Sequence, residues 1–177
     1  MTTDTPPTER GAAVAVSLRG LYARAVSLAG RAEPVGLLGL RLLLAQVFFY
    51  SGLTKWDGLS ISNSAYSQFE VFYGQTGLSF FWIDNLARLT AVAEIVLPVL
   101  VVLGLLGRVG ALGLLIMTLV IQFTVCNEMY DVCLTTAEAW WNTHAWWAAI
   151  AFYLVLRGPG PLSLDRLLGL ESPTGGR

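Results

Sequence analysis

The hydrophobic positions of this chain fall in four long runs, not in the alternating or 3.6-residue mixtures that are typical of soluble proteins. The runs cover residues 35–53, 86–106, 109–125 and 139–156. At a rise of about 1.5 Å per residue, a helix of roughly 20 apolar residues crosses a hydrocarbon layer of about 30 Å. Each run therefore predicts a transmembrane helix.

The connections between the runs predict how these helices are arranged. Only Gly107 and Arg108 separate the second run from the third, so those two helices must be antiparallel neighbours. Pro34 precedes the first run, and because proline is tolerated in a first turn, we expect the first membrane helix to begin there. The predicted fold is an all-α integral membrane protein, a four-helix up-down bundle over residues 34–168.

Composition and charge narrow the class further. Of the 177 residues, 55% are hydrophobic and 13% are charged, whereas a soluble domain carries about 25% charged residues. The formal net charge is -1, so the chain has no excess of basic residues with which to neutralise a phosphate backbone. The bilayer is the expected environment, and nucleic-acid binding is excluded.

The distribution of Lys and Arg predicts the orientation in the membrane. The segment 1–33, the second connection and the carboxyl tail together hold eight of these residues, and the opposite side holds only Lys55 and Arg88. We therefore expect both termini to be cytoplasmic, including the tail 169–177. The loops 54–85 and 126–138 then face outward, and the aromatic-rich stretch 60–83 is expected to lie in the membrane interface.

The segment 11–30 is apolar but interrupted by arginines, so we expect it to be retained and not removed as a signal peptide. Its apolar residues recur at helical spacing, which favours an amphipathic helix on the cytoplasmic leaflet over the alternative of a disordered tail. These residues are Val14, Leu18, Leu21, Ala25 and Leu28.

Four stretches resemble, in their order and spacing, the DoxX family of small four-helix bacterial membrane proteins. They are RLLLAQVFFYSGLTK from Arg41 to Lys55, AEIVLPVLVVLGLLGR around Glu94, the HAWW stretch that begins at His144, and GPGPLSLDR from Gly158 to Arg166. The resemblance covers about residues 34–168 and implies a multi-pass protein of the bacterial inner membrane. It also implies a link to membrane redox chemistry, although not every member need be an enzyme.

The resemblance leads to two functional hypotheses. The first is a membrane subunit or docking partner for redox or oxidative-stress proteins, at most a subunit of a quinone-linked oxidoreductase, with quinone as the candidate cofactor. The alternative is a small transporter or export factor for a metal or a metal-binding peptide, with metal-handling proteins as partners. A homo-oligomer fits either hypothesis. The sequence has neither a G-x-G-x-x-G fingerprint nor a CxxC motif.

Glu94 is the first candidate site residue, because an ionisable side chain inside a membrane span is costly and is by default functional. Pro98, four residues later, frees the backbone carbonyl of Glu94 from its intrahelical hydrogen bond. Arg41 in the first span is expected about 8 Å away along the bundle axis, within reach of its side chain. Two interpretations stay open: an Arg41–Glu94 ion pair that locks the bundle, and a proton or ligand role for Glu94.

His144, the only histidine, is the second candidate, because imidazole titrates near physiological pH and can relay protons or bond a quinone carbonyl. The tryptophans around it are typical of an interfacial aromatic belt, and their flat faces also suit a quinone ring. Gln46, Tyr50 and Gln122 complete the candidate pocket, with Arg41 as a further cofactor-binding candidate. Each of the three polar residues can equally form interhelical hydrogen bonds.

Cys126 and Cys133 lie in the predicted outer loop, where oxidising conditions favour a structural disulfide. Two alternatives stay open. A redox-active pair is disfavoured because the six-residue spacing lacks the tight geometry of a CxxC motif. Metal capture would need further ligands, for which Met129, Asp131 or His144 are the candidates.

Overall fold

A computed structural model describes the backbone of residues 7–74, 76–129 and 143–171, and the side chains of residues 18–74, 76–123 and 143–171. The chain divides into two compact units, Met1–Gly36 and Leu37–Arg177, which are described separately. The described part is mostly helical. Its elements in chain order are α1 (Pro7–Leu53), β1 (Trp56–Asp57), β2 (Ser60–Ile61), α2 (Asn63–Tyr73), α3 (Phe80–Leu103), α4 (Gly107–Met129), α5 (Thr143–Arg157) and α6 (Leu164–Leu167).

Helix α1 starts at Pro7 and continues through Pro34, so the prediction that a separate helix begins at Pro34 is wrong. A proline inside a helix lacks one N–H and crowds the carbonyl four residues earlier, here that of Gly30. Because Gly30 is exposed and has no side chain, this carbonyl is open to other hydrogen-bonding partners. In the first unit, residues 18–32 are exposed all round, including the predicted apolar positions Leu18, Leu21 and Leu28.

Residues of four helices form the core of the second unit. Leu44 and Phe48 of α1, Val101 of α3, Leu114 of α4 and Leu154 of α5 belong to one buried cluster. Two alanines of the same cluster, Ala111 of α4 and Ala151 of α5, are fully buried and let these helices approach closely.

Helices α3 and α4 are antiparallel, as their short connection predicts. Gly104 ends α3 in the left-handed conformation, with φ of 63°, and the N–H of Leu105 returns to the carbonyl of Leu100. Along the two helices, Gly110 faces Val101 and Gly113 faces Leu97. The absence of a side chain at these glycines brings α4 against α3.

The carboxyl-terminal segment closes this turn. The Asp165 carboxylate accepts hydrogen bonds from the backbone N–H groups of Leu106, at 2.7 Å, and Gly107, at 2.8 Å. The N–H of Asp165 in turn donates to the carbonyl of Gly104. Asp165 thus caps the first turn of α4, which satisfies donors that have no partner within the helix.

Two helical stretches are long and apolar enough to cross a bilayer, Leu18–Leu53 and Phe80–Leu103. The described part of α4 also contains a shorter apolar helix, Gly107–Phe123. Helix α2, within the stretch expected at the membrane interface, packs against α3 through Phe69, with Ile83 and Ala87 on the facing side. That α4 and α5 also cross the membrane stays a prediction.

Candidate functional site

A buried ion pair joins the end of α1 to the middle of α3. The Lys55 ammonium lies 2.7 Å from Oε2 of Glu94 and donates a second hydrogen bond, of 3.1 Å, to the Ser51 hydroxyl. Lys55 is 7% exposed and Glu94 is 3% exposed. Because removing two charges from water is costly, a pair this buried needs both the close contact and the additional hydrogen bond.

The local sequence explains why the two side chains meet. Gly52 packs directly on the backbone of α3, where a Cβ would lie 2.9 Å from the carbonyl oxygen of Glu94. This carbonyl is the one that Pro98 cannot engage, because proline has no N–H. Helix α1 ends one residue later, and a turn from the Lys55 N–H to the Gly52 carbonyl holds Lys55 beside α3.

The β1–β2 hairpin after Lys55 holds the end of α1 against α3. Trp56 is opposite Ile61 in the antiparallel pair β1–β2. Its indole N–H donates to the carbonyl of Ala91, one turn before Glu94, at 3.3 Å. The chain is therefore attached to α3 on both sides of Lys55.

The ion pair lines a cavity of about 250 Å³. Ser51, Lys55 and Glu94 provide polar lining, and α2 contributes an aromatic wall that contains Phe69, Phe72 and Tyr73. The rings of Phe69 and Tyr73 are stacked, with their centroids 5.7 Å apart. The remaining lining residues are Gln68, Thr90, Ile121, His144 and Trp147.

His144 of α5 lines the same cavity as Glu94. Its Nδ1 lies 2.8 Å from Oε1 of Gln122 on α4, and its ring makes an edge contact with Trp147, at a centroid distance of 4.9 Å. An amide oxygen can only accept, so with this pairing Nδ1 carries the proton of the neutral ring. Nε2 is then the basic nitrogen, able to accept a proton.

The structure differs from the predicted Arg41–Glu94 ion pair. Among the side chains that the structure describes, Glu94 has Lys55 as its ionic partner, while Arg41 donates from Nη2 to the backbone carbonyl of Leu162. Gly52, which packs against Glu94, is eleven residues from Arg41, or about 16 Å along α1. The estimate of 8 Å failed because it assumed that α1 and α3 reach the same depth, whereas α1 ends halfway along α3.

Gln46 and Tyr50 lie outside the cavity. Both are exposed in a second groove of about 550 Å³ between α1 and α3, where the facing residues include Pro98 and Val99. The structure thus brings together Glu94 and His144, with Gln122 bonded to His144. It separates Arg41, Gln46 and Tyr50 from them.

Lys55 was the residue that sequence reasoning missed. In the sequence, Lys55 counted only toward the orientation and as the last residue of one DoxX-like stretch. The signal that could have found it is the length of the lysine stem, which can run along apolar surface while the ammonium reaches a distant partner. Only the tertiary fold shows that the aromatic residues of α2 line the same cavity.

The backbone of α4 includes Cys126, but the Cys126 side chain and all of Cys133 lie outside the described residues. The disulfide, and the alternatives of a redox-active or metal-binding pair, stay predictions. Within the described part of the chain, no group of three or more His, Cys, Asp or Glu side chains could hold a metal ion.

The two long apolar helical stretches have the length and composition of membrane helices, and the family to which the chain belongs indicates a membrane protein. A family model described as DoxX matches residues 36–127, just over half of the chain, and the protein belongs to the DoxX family. This confirms the resemblance seen in the sequence. No curated protein and no solved structure matches the chain. The matched range contains Lys55 and Glu94, whereas His144 follows it.

Proposed function

We propose that this protein is the membrane subunit of a redox system and binds the headgroup of a quinone in the cavity beside Lys55 and Glu94. The single observation that carries the proposal is the combination of a buried ion pair with an aromatic wall in one cavity. Ligand pockets are characteristically apolar with a few polar groups that fix orientation. This cavity has that composition.

The size and chemistry of the cavity suit one substituted ring. At about 250 Å³ it is smaller than the usual pocket for a drug-sized molecule, roughly 300–1,000 Å³. The faces of Phe69 and Tyr73 can pack on a flat ring. The Lys55 ammonium has three donors, of which Glu94 and Ser51 use two, so one remains for a carbonyl oxygen.

Glu94 and His144 are the groups that would exchange protons in this proposal. Reducing a quinone to its quinol takes two electrons and two protons. The electrons would come from a redox protein docked on this subunit, and the two protons from water, each taken up by the Glu94 carboxylate or by Nε2 of His144 before it passes to a quinone oxygen; both groups line the same cavity. The Gln122 amide orients the imidazole for this role by bonding Nδ1.

We further propose that four helices cross a bacterial inner membrane with both termini in the cytoplasm. The eight-to-two distribution of Lys and Arg supports this orientation. It would place α2 and the cavity in the outer half of the protein. The cavity would then take protons from the outer side.

Titration of the purified full-length protein in mild detergent with a short-chain benzoquinone tests the site. We expect saturable binding that Glu94→Gln weakens at least about tenfold, because the ion pair that holds the Lys55 ammonium toward the ligand is lost. Asn85→Ala, on an exposed face of α3, is the matched control and should bind like the wild type. Gln46→Leu tests the second groove: loss of binding in this variant, with normal binding by a folded Glu94→Gln variant, would contradict the proposal.

The same preparation addresses the other functional hypotheses. Copurification of a redox protein would support the docking role of the subunit. If the protein instead binds or exports a metal or a metal-binding peptide and shows no affinity for quinone, the transporter alternative replaces the redox proposal.

A further inference from the structure

An open groove of about 740 Å³ lies at the end of the second unit where α3 meets the segment after α5. Val102 and Leu103 of α3 form one wall, and Leu162 and Leu167 contribute to the other. Ser163 and Arg166 supply polar lining. Several leucines of this carboxyl-terminal segment are exposed: Leu162, Leu167, Leu168 and Leu170.

A buried arginine lies behind this groove. Arg41 is 1% exposed, and its Nη2 donates to the carbonyl of Leu162, a groove residue. Its Nε and Nη1 are buried, and within the described part of the chain neither has a hydrogen-bond partner. A guanidinium that is buried without a counter-charge is costly, so its position calls for an explanation.

Asp165 and Arg41 both contact the turn after α3. Arg41 lies against Gly104 of this turn, and each carboxylate oxygen of Asp165 accepts a backbone N–H at the start of α4. Arg166 is exposed, and among the described residues it belongs to no ion pair. The groove therefore combines apolar walls with one exposed, unpaired arginine, Arg166, on its lining.

We infer that this groove binds an anionic phospholipid, with the phosphate at Arg166 and an acyl chain along Val102, Leu103 and Leu162. Helix α3 is long enough to cross a bilayer and ends at Leu103, so the groove lies at the level expected for lipid headgroups. Basic side chains at this level attract anionic lipids, and arginine pairs well with phosphate.

This site is independent of the proposed quinone cavity. Leu103 is nine residues from Glu94, about 14 Å along α3, and the two cavities share no lining residue. A failure of quinone binding would therefore leave the lipid inference standing.

Native mass spectrometry of the delipidated full-length protein tests the inference. The protein is incubated with equal amounts of phosphatidylglycerol and phosphatidylcholine in mild detergent. We expect preferential retention of phosphatidylglycerol, and about a fivefold loss of its affinity in Arg166→Gln. The matched control is Arg88→Gln, an exposed arginine at the other end of α3, which should retain the lipid like the wild type.

Any of three results would overturn the inference. The first is equal retention of both lipids by the wild type, and the second is an equal loss of phosphatidylglycerol in the two arginine variants. The third is displacement of the lipid by the same concentration of inorganic phosphate, which would reveal an anion site without lipid specificity. Gel filtration and circular dichroism of each variant establish that it is folded before its lipid content is compared.

Discussion

Lys55 and Glu94, 39 residues apart in the chain, form an ion pair of 2.7 Å that attaches the end of α1 to the middle of α3. Helix α1 stops at this depth, and α2 packs against the part of α3 beyond it. The pair therefore lies at the level where α1 ends and α2 takes its place against α3. That replacement leaves the cavity in which His144 also lies.

Glu94→Gln should destabilise the protein by about 3 kcal/mol, because it leaves the Lys55 ammonium buried without a counter-charge. Thermal unfolding in detergent measures the change. In Lys55→Met combined with Glu94→Gln much of the stability should return, whereas quinone binding should not. Asp84→Asn, in the exposed pair with Arg88, is the control and should change stability by less than about 1 kcal/mol. Equal losses of stability in Glu94→Gln and Asp84→Asn would show that the buried pair stabilises the protein no more than the exposed pair.

Gly52→Ala should destabilise the protein by about 1–3 kcal/mol. The new Cβ would lie 2.8 Å from Cδ1 of Ile95 and 2.9 Å from the carbonyl oxygen of Glu94, so α1 would have to move away from α3. Gly39→Ala is the matched control in the same helix, since its Cβ would meet no atom within 4 Å. There the better helix propensity of alanine should leave stability unchanged or raise it by up to about 1 kcal/mol. Equal unfolding temperatures for the two variants would contradict the close approach at Gly52.

Asp165→Ala should lower the free energy of unfolding by about 1–3 kcal/mol, because two N–H groups at the start of α4 lose their acceptor. Asp165→Asn keeps one acceptor oxygen and should fall between alanine and the wild type. Thermal unfolding measures the series, and Asp57→Ala, at an exposed position of the hairpin, is the control. A wild-type value for Asp165→Ala would show that the cap is dispensable.

A reporter enzyme that is active only outside the cytoplasm should be silent when it is fused after Arg177. The same reporter should be active when it is inserted between Cys126 and Cys133. Both results follow from the distribution of Lys and Arg. The reverse pattern would contradict the proposed orientation and the outward-facing cavity.

Cys126 and Cys133 should be paired in protein isolated without reductant. Closing so short a loop should stabilise the protein by about 2–3 kcal/mol. Labelling of free thiols under denaturing conditions, before and after reduction, measures the pairing. Full labelling before reduction would exclude the disulfide and favour the metal-binding alternative.

The sequence determined what depends on hydropathy and local geometry. Long apolar runs indicated helices within a membrane protein, and the two-residue connection at Gly107 and Arg108 required α3 and α4 to be antiparallel neighbours. The sequence also singled out Glu94 and His144, because a charged or titratable group among apolar residues is conspicuous. The resemblance to the DoxX family rested on the order and spacing of four stretches along the chain, and the family model confirmed it.

Only the tertiary structure decided the partners of those residues. Which basic group meets Glu94 depends on the axial position of α1 relative to α3. Close contacts such as that of Gly52 with the α3 backbone set this position. Hydropathy gives the length of each helix but not its depth relative to its neighbours. Lys55, just past the end of α1, therefore reaches Glu94. Arg41 lies about 16 Å along α1 from Gly52 and bonds Leu162, which is a lining residue of the proposed lipid groove.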